Sequence, residues 1–198
     1  MASTKKSMGR RKPKGDKRER TRAALLEAAR AVVREEGYDR TTLAKVAARA
    51  GMTTGAIYGN FRNRDELFVA LGEAYWPPVA PVIKPGATFA QAMRAFARAT
   101  LAAVDERAPV AVGRLTGMAY ALTHEELRAR VVDVTRDSYD LGVAWLRRFD
   151  AAELPMPRER LVRVLHALIE GLVLQRLLTP ELVPDEVFYS AFGALAQR

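Results

Sequence analysis

The segment "TTLAKVAARAGMTTGAIYGNF", residues 41–61, carries the pattern on which the interpretation of this chain rests. Thr41 and Thr42 offer an N-cap for a short helix, "LAKVAARA", which Gly51 ends. The apolar face of that helix consists of residues at helical spacing: Leu43, Val46, Ala47 and Ala50. A tight turn and a second short helix follow, so the segment predicts a helix-turn-helix.

The second short helix contains poor helix formers. Gly55 and Gly59 each cost a helix interior about 1 kcal/mol relative to alanine. Ile57 and Phe61 are nevertheless four residues apart, which is the spacing of two core-facing side chains on a helix. We expect these two to complete a small core with Leu43, Val46, Ala47 and Leu67. The outward side and the ends of the helix are then formed by Thr53, Thr54, Gly55, Ala56, Tyr58 and Asn60.

The excess positive charge of the chain lies in the same region. The 198 residues have a net charge of +9. Residues 1–70 hold 17 basic and 8 acidic side chains, whereas residues 71–198 hold 15 of each sign. This asymmetry favours a polyanion as the partner of the N-terminal part. A solvated basic tail is one alternative, and a membrane surface is a weaker one because the basic residues lack an interleaved apolar face.

Composition argues against several classes of site. The chain has no cysteine and only two histidines, His124 and His166, which are far apart in sequence. We therefore expect no metal site, no cofactor and no catalytic residues. No stretch approaches the roughly 20 apolar residues needed to cross a membrane, and no signal peptide follows the basic N-terminus. These observations predict a soluble cytoplasmic protein that makes no membrane contact and is not an enzyme.

The remaining pattern is helical throughout. A first helix is predicted from about Asp16 to Glu36, and Asn63 caps a fourth helix that ends before the proline-rich segment 76–86. Further helices are predicted over about 88–106, 109–121, 124–149, 158–178 and 184–197, with Thr123 as a cap. The predicted class is all-α, with a disordered basic arm (1–15), a basic three-helix head (16–70) and a larger, neutral helical domain (71–198).

Residues 41–68 resemble the DNA-binding signature of the TetR family of transcriptional regulators. The matching residues are Thr42, Val46, Ala47, Ala50, Gly51, Gly55, Ile57, Tyr58, Phe61 and the segment "NRDELF" (63–68). The resemblance extends over about residues 17–70, while the rest of the chain resembles the family in length and helical layout only. It implies a transcriptional regulator that binds double-stranded DNA. The resemblance further implies that residues 16–70 are the DNA-binding domain and that residues 71–198 are the domain for effector binding and dimerisation.

The resemblance also indicates which residues contact DNA. The N-terminal residues of a recognition helix lie nearest the bases, so Thr54 and Ala56 are expected at base edges and Gly55 at a point of close approach. The hydroxyl of Tyr58, Thr42 and Arg64 are phosphate contacts in the family pattern. The complete predicted set is Thr42, Lys45, Thr53, Thr54, Gly55, Ala56, Tyr58, Asn60 and Arg64.

Several of these residues have a purely structural alternative. Tyr58 is also compatible with a half-buried packing role, Thr42 with a helix cap, and Asn60 with ending the short helix. Ala44 and Gly59 provide no long side chain where some family members place one. Direct base reading is then left to few residues, and we hypothesise that the basic arm from Lys5 to Lys17 compensates by contacting the DNA backbone or the minor groove.

The C-terminal helices are apolar enough to predict a second subunit. The helix over 158–178 is apolar around nearly its whole circumference. In the TetR family the last two helices of each subunit pair into a four-helix bundle, so the resemblance implies a homodimer. The predicted interface residues are Leu161, Leu165, Leu168, Leu172, Val187, Phe188, Ala191, Phe192 and Leu195. A monomer whose last helices complete its own core is the alternative.

The family resemblance further implies a small-molecule effector. Aromatic, methionine and polar residues of the middle helices are the predicted pocket: Met93, Phe96, Arg114, Met118, Tyr120, Tyr139 and Trp145. His166 and Glu170 are polar groups within an apolar helix, with either a pocket, interface or structural role. The predicted function is a ligand-responsive repressor that binds a palindromic operator as a dimer. An activator, an effector-independent DNA-binding protein and a protein–protein adaptor are the alternatives.

Overall fold

The computed structural model describes residues 14–197, with side chains from residue 17 onward. Within that range the chain forms α1 Lys14–Glu36, α2 Leu43–Arg49, α3 Thr54–Tyr58, α4 Arg64–Tyr75, α5 Phe89–Arg107, α6 Ala111–Thr123, α7 Glu125–Leu146, α8 Arg158–Leu178 and α9 Asp185–Leu195. Single 3-10 turns follow α5, α7 and α8. No strand occurs between residues 14 and 197, and the predicted all-α class is confirmed. Residues 1–13, most of the predicted arm, lie outside the described residues.

The helix boundaries follow local capping signals, with small differences from the sequence-based prediction. Helix α1 begins at Lys14, so the last two residues of the predicted arm are helical. The sequence predicts Thr123 as the cap of α7, but it is the last residue of α6, and its hydroxyl donates to the carbonyl of Tyr120 at 3.0 Å. His124 occupies the N-cap position instead, without a side-chain capping bond. Thr123 therefore ends one helix rather than starting the next.

The chain divides after Leu71 into two compact units. In the first unit, α1, α2, α3 and the first turns of α4 enclose a small apolar core. Ile57 is 0% exposed and Phe61 is 1% exposed, as their helical spacing predicts. The rings of Tyr38 and Phe68 add an edge-to-face contact with centroids 4.8 Å apart. The core is formed by Leu25, Leu26, Ala29, Val32, Val33, Leu43, Val46, Ala47, Ile57, Phe61, Leu67 and Phe68.

The second unit, Gly72–Arg198, is organised around α5. This helix packs against α8 and α9, and α7 packs against α8. Its start is secured by a capping box, in which Thr88 and Gln91 each bond the backbone of the other. The core contains Trp76, Phe89, Ala92, Met93, Phe96, Ala97, Val104, Leu146, Phe149, Leu154, Leu161, Val162, Leu165, Ile169, Leu172, Val173, Phe188 and Phe192.

The residues predicted at a dimer interface divide into two groups. Five of them are buried in the core of the second unit: Leu161, Leu165, Leu172, Phe188 and Phe192. Their burial is accounted for by the packing of one chain, and the predicted interface stays a prediction. The other four keep exposed surface: Leu168, Val187, Ala191 and Leu195.

Two absences apply to residues 14–197. No helix there is long and apolar enough to cross a membrane. Nor does this part of the chain bring together three or more His, Cys, Asp or Glu side chains in a way that would hold a metal ion.

Candidate nucleic-acid interface

The turn between α2 and α3 has the geometry that Gly51 permits. Its φ angle is +64°, in the left-handed region that favours glycine. The amide of Gly51 donates to Ala48 at 3.1 Å, and the amide of Met52 donates to Ala47 at 2.9 Å. These two bonds form a Schellman motif, which satisfies carbonyls at the end of α2. The turn therefore sets the direction in which α3 leaves α2.

Helix α3 has one buried and one exposed side. The hydroxyl of Thr53 accepts a bond from the amide of Ala56 at 3.3 Å and caps the helix. Ile57 faces the core, whereas Thr53, Thr54 and Gly55 are exposed and Ala56 is half-buried. Tyr58 is 57% exposed, which argues against the alternative that it is a packing tyrosine. The surface presented by α3 is thus small near its N-terminus and carries a phenol near its end.

The start of α2 lies beside charged residues of α1. Thr42 is exposed, and its hydroxyl caps α2 by accepting from the amide of Lys45 at 3.2 Å. The ammonium of Lys45 binds Glu36 at 2.5 Å and the carbonyl of Arg40 at 3.1 Å. A phosphate that takes Lys45 must therefore compete with an exposed carboxylate.

A second ion pair joins α1 to α2. Arg49 donates two bonds to the carboxylate of Glu35, at 2.8 and 2.5 Å. This bidentate geometry is the stronger form of the arginine–carboxylate pair. The hydrogen bonds from Arg49 hold the pKa of Glu35 below its usual value. The pair orients α2 relative to α1 within the head.

Asn60, which is predicted among the DNA contacts, has a structural role in the head. Its Nδ2 donates to the carbonyl of Ala56 at 2.8 Å, and its Oδ1 is buried. The side chain closes the end of α3, as the structural alternative for this residue states. Arg22, which sequence reasoning missed, donates to the carbonyl of Asn60 at 3.2 Å and lies over the ring of Phe61, 4.5 Å from its centroid. No local sequence signal marks this contact, because 38 residues separate its partners.

Arg64 stands at the first position of α4. It is half-buried, donates to the carbonyl of Asp39 at 3.3 Å and lies 5.6 Å from the ring centroid of Phe68. The predicted cap of this helix is present, since Asn63 Oδ1 accepts from the amide of Glu66 at 2.9 Å. Arg64 is therefore held by the head itself, with part of its side chain at the surface.

The residues predicted for an effector pocket occupy different environments in the second unit. Met93 is fully buried in the core, and Phe96 packs edge-to-face against Trp145 at 5.4 Å. Tyr120 is buried and stacks on His124, while Met118 is 42% exposed. Tyr139 contacts His166, with its hydroxyl 3.2 Å from Nδ1. Arg114 is half-buried and forms an ion pair with Glu170, whose role the sequence-based prediction did not decide. Both Arg114 and Arg107 lie over the ring of Trp76, and the prediction named neither Trp76 nor Arg107.

Comparisons with known proteins agree with this geometry. Residues 25–71 match the family model described as bacterial regulatory proteins, tetR family. The chain is 51% identical over 51 residues to the HTH-type transcriptional regulator TtgR of Pseudomonas putida, and this segment covers 26% of this chain and 24% of that protein. The aligned segment thus spans about a quarter of the curated relative.

Similar solved structures extend over most of the chain. SmeT, the repressor of the Stenotrophomonas maltophilia multidrug efflux pump SmeDEF, is 26% identical, with a TM-score of 0.54 over 87% of this chain and 86% of that one. A regulator from Pseudomonas aeruginosa PAO1 has a TM-score of 0.67 at 22% identity, covering 89% of this chain and 88% of its own, and shows the fold alone. These relatives are transcriptional regulators rather than enzymes.

Proposed function

We propose that this chain, whose residues 25–71 match the model of the tetR family of bacterial regulatory proteins, is a TetR-type repressor that binds a palindromic operator as a homodimer. The observation that carries the proposal is the surface of α3. Its core side is filled by Ile57, while Thr53, Thr54, Gly55 and Tyr58 are left exposed. A short helix with this division fits a major groove, where its N-terminal residues meet base edges.

The proposed contacts divide by their role. Thr54 and the methyl group of Ala56 read base edges. The hydroxyls of Thr42 and Tyr58 and the cations of Lys45 and Arg64 bind phosphates, which fix orientation without reading sequence. Thr53 caps α3 and presents its methyl group nearby. Gly55 allows the DNA to approach the helix backbone.

The proposal of a dimer follows from the limited base discrimination of a single head. A head with so few base-reading side chains discriminates poorly alone, since each good contact contributes only about 1–3 kcal/mol. Two heads on a two-fold operator double the contacts, with half-sites about 34–36 Å apart or a multiple of that spacing. Apolar residues of the last two helices that keep some exposed surface support such an assembly: Leu168, Val187, Ala191 and Leu195.

We propose that a small organic effector releases the repressor by favouring dimers whose heads do not match the operator spacing. One structural neighbour is named as the repressor of a multidrug efflux pump. Transport genes are accordingly the first place to search for an operator of this chain.

The decisive experiment is selection of binding sites from a random pool of double-stranded DNA with the purified full-length protein. We expect enrichment of one palindrome, protected by a footprint of two half-sites. Binding without an enriched sequence would refute the repressor proposal and favour a non-specific DNA-binding protein. A reporter gene placed behind the enriched site separates repression from activation, because deletion of the regulator raises expression only in the first case.

A further inference from the structure

Four side chains from separate segments meet in the second unit. Trp76 Nε1 donates to Glu170 Oε1 at 2.7 Å. Arg114, on α6, donates to the other carboxylate oxygen at 3.4 Å. Arg107, at the end of α5, has its Nη1 3.8 Å from Glu170 Oε1. One carboxylate thus faces an indole and two guanidinium groups.

This cluster has an uncompensated positive charge. Arg107 is only 5% exposed, and burial lowers its pKa, although the carboxylate of Glu170 opposes that shift. Arginine remains protonated at neutral pH even so. Desolvation also lowers the pKa of His166, the nearby histidine, so its ring is neutral near neutral pH. Within the cluster itself two cations share one anion, while the carboxylate of the exposed Glu106 acts on Arg107 from outside the cluster. The cluster therefore carries a net charge of one in a largely buried place, which is costly.

Two hydrogen-bond donors of the cluster are also unsatisfied. Arg107 Nη1 and Arg114 Nε are buried and make no hydrogen bond, while Arg107 Nη2 donates to the carbonyl of Pro77. Buried polar atoms are nearly always hydrogen-bonded, so two orphan donors in one cluster require an explanation. An acceptor that carries one negative charge would balance the charge and supply a partner for these donors.

The surroundings indicate what else the acceptor must contain. The ring centroid of Trp76 lies 4.5 Å from Arg107 Cζ and 5.6 Å from Arg114 Cζ, so cation–π contacts hold both guanidinium groups in place. Trp76 itself belongs to the apolar core. Val110 and Ala111, which lie between Arg107 and Arg114 in the sequence, also pack against that core. An organic acid whose charged group binds these arginines would place its apolar part beside the Trp76 ring, which both guanidinium groups contact.

We propose that this cluster is a binding site for the carboxylate of an organic acid, and that the effector of this regulator is an apolar or aromatic acid. Arginine suits this task because its planar donors match carboxylate oxygens. A monoanion fits the single excess charge better than a phosphate dianion does, and a cationic ligand is disfavoured by both arginines. Only the role of the acid as an effector rests on the proposed function, because binding of the acid itself is measured without DNA.

The test uses pairs of probes that differ in charge alone. Benzoate and 2-naphthoate are compared with benzamide and 2-naphthamide by calorimetric titration and by thermal unfolding of the full-length protein. We expect the acids to bind at least about tenfold more tightly than their amides, in line with the strength of charged hydrogen bonds. Equal binding of acid and amide, or no binding by either acid, overturns the inference.

Two variants of the cluster should change the affinity for the acid in opposite directions. Arg114→Gln should weaken acid binding about tenfold or more, because it removes a charged donor. Glu170→Gln should strengthen it, because the internal carboxylate no longer competes for the arginines. Arg136→Gln is the matched control, since Arg136 is exposed on α7 and pairs with Asp133 at 2.8 Å. A purely structural cluster would give no gain for Glu170→Gln, and that result contradicts the proposal even if Arg114→Gln fails to fold.

Operator release separates this inference from the proposed function. If the protein binds a palindromic operator and is released by amides or by cations but not by acids, the acid site is wrong and the repressor stands. If the variants bind the acids with the expected order of affinities but no operator is found, the repressor proposal is wrong and the acid site stands.

Discussion

A Cβ atom at Gly55 would meet only the Oγ1 atom of Thr53, at 3.8 Å, whereas a Cβ at Gly59 would lie 3.3 Å from the carbonyl oxygen of Gly55. Neither residue has a left-handed backbone. The folded head therefore has room for alanine at position 55 but is crowded at position 59. The fold does not require glycine at position 55, and the residue is exposed. The proposed close approach of DNA to the helix backbone would account for a glycine there.

Gly55→Ala should therefore separate stability from binding. We expect the free energy of unfolding to stay equal or rise by up to about 1 kcal/mol, because alanine is the better helix former. Affinity for the operator should fall about tenfold, the equivalent of roughly 1.4 kcal/mol. Urea unfolding and fluorescence anisotropy measure the two quantities. Gly59→Ala is the control, because its Cβ would lie 3.3 Å from the carbonyl oxygen of Gly55 in the same short helix. Undiminished DNA affinity in a stabilised Gly55→Ala variant would exclude close approach at Gly55.

Tyr58 and Thr54 should respond differently to loss of a hydroxyl. Tyr58→Phe removes the proposed phosphate contact, so affinity should fall by a similar factor on every DNA sequence. Thr54→Ala should instead change which half-site bases are preferred, at about 1–3 kcal/mol per contact. Selected-site sequencing with each variant distinguishes the two results. Because both positions are exposed, the free energy of unfolding of each variant should stay within about 0.5 kcal/mol of the parent. A changed base preference for Tyr58→Phe would contradict the assignment of Tyr58 to phosphate.

At the scale of elements, the helices were predictable because their ends carry local signals. Gly51 ends α2, Thr53 caps α3 and Asn63 caps α4, and each signal acts within a few residues. The spacing of residues does not show that the side chain of Asn60 bonds the carbonyl of Ala56 in its own helix. The cluster around Glu170 was not predictable as a cluster, since 94 residues separate Trp76 from its partner.

The ion pair between α1 and α2 should make the head sensitive to acid. Because the pKa of Glu35 is lowered by Arg49 in the folded state, the pair stabilises the head above the ordinary glutamate pKa. That contribution should disappear as pH falls through the lowered pKa. Glu35→Gln should therefore unfold at lower urea concentration than the parent at neutral pH, and the two curves should converge in acid. A pH-independent difference between them would show that the carboxylate charge is not responsible.

At the scale of the whole molecule, two glycines of the last helices favour a second chain. A Cβ at Gly171 or Gly193 would meet nothing within 4 Å, so neither glycine serves a close approach within its own chain. Gly171→Arg should then leave the fold intact but weaken the proposed dimer about fivefold or more, because overpacking a close contact costs about 1–3 kcal/mol. Sedimentation over a range of concentrations measures the dissociation constant. Gly113→Arg on α6 is the matched control, since a Cβ there would also meet nothing within 4 Å, and an unchanged dimer in the Gly171 variant would place the interface elsewhere.

The charge distribution leads to a prediction about the segment ahead of α1. Residues 1–13 hold five basic and no acidic side chains, and the chain beyond residue 70 has no excess charge. If this segment binds phosphates, each contact releases counterions and adds about 0.9 to the slope of log affinity against log salt. A protein that begins at Lys14 should therefore show a shallower slope and weaker operator binding at low salt, with the same preferred sequence. Replacement of the five basic residues by glutamine in the full-length chain is the control for length. An unchanged slope in both variants would assign the salt dependence to the head alone, since the head would then hold every phosphate contact.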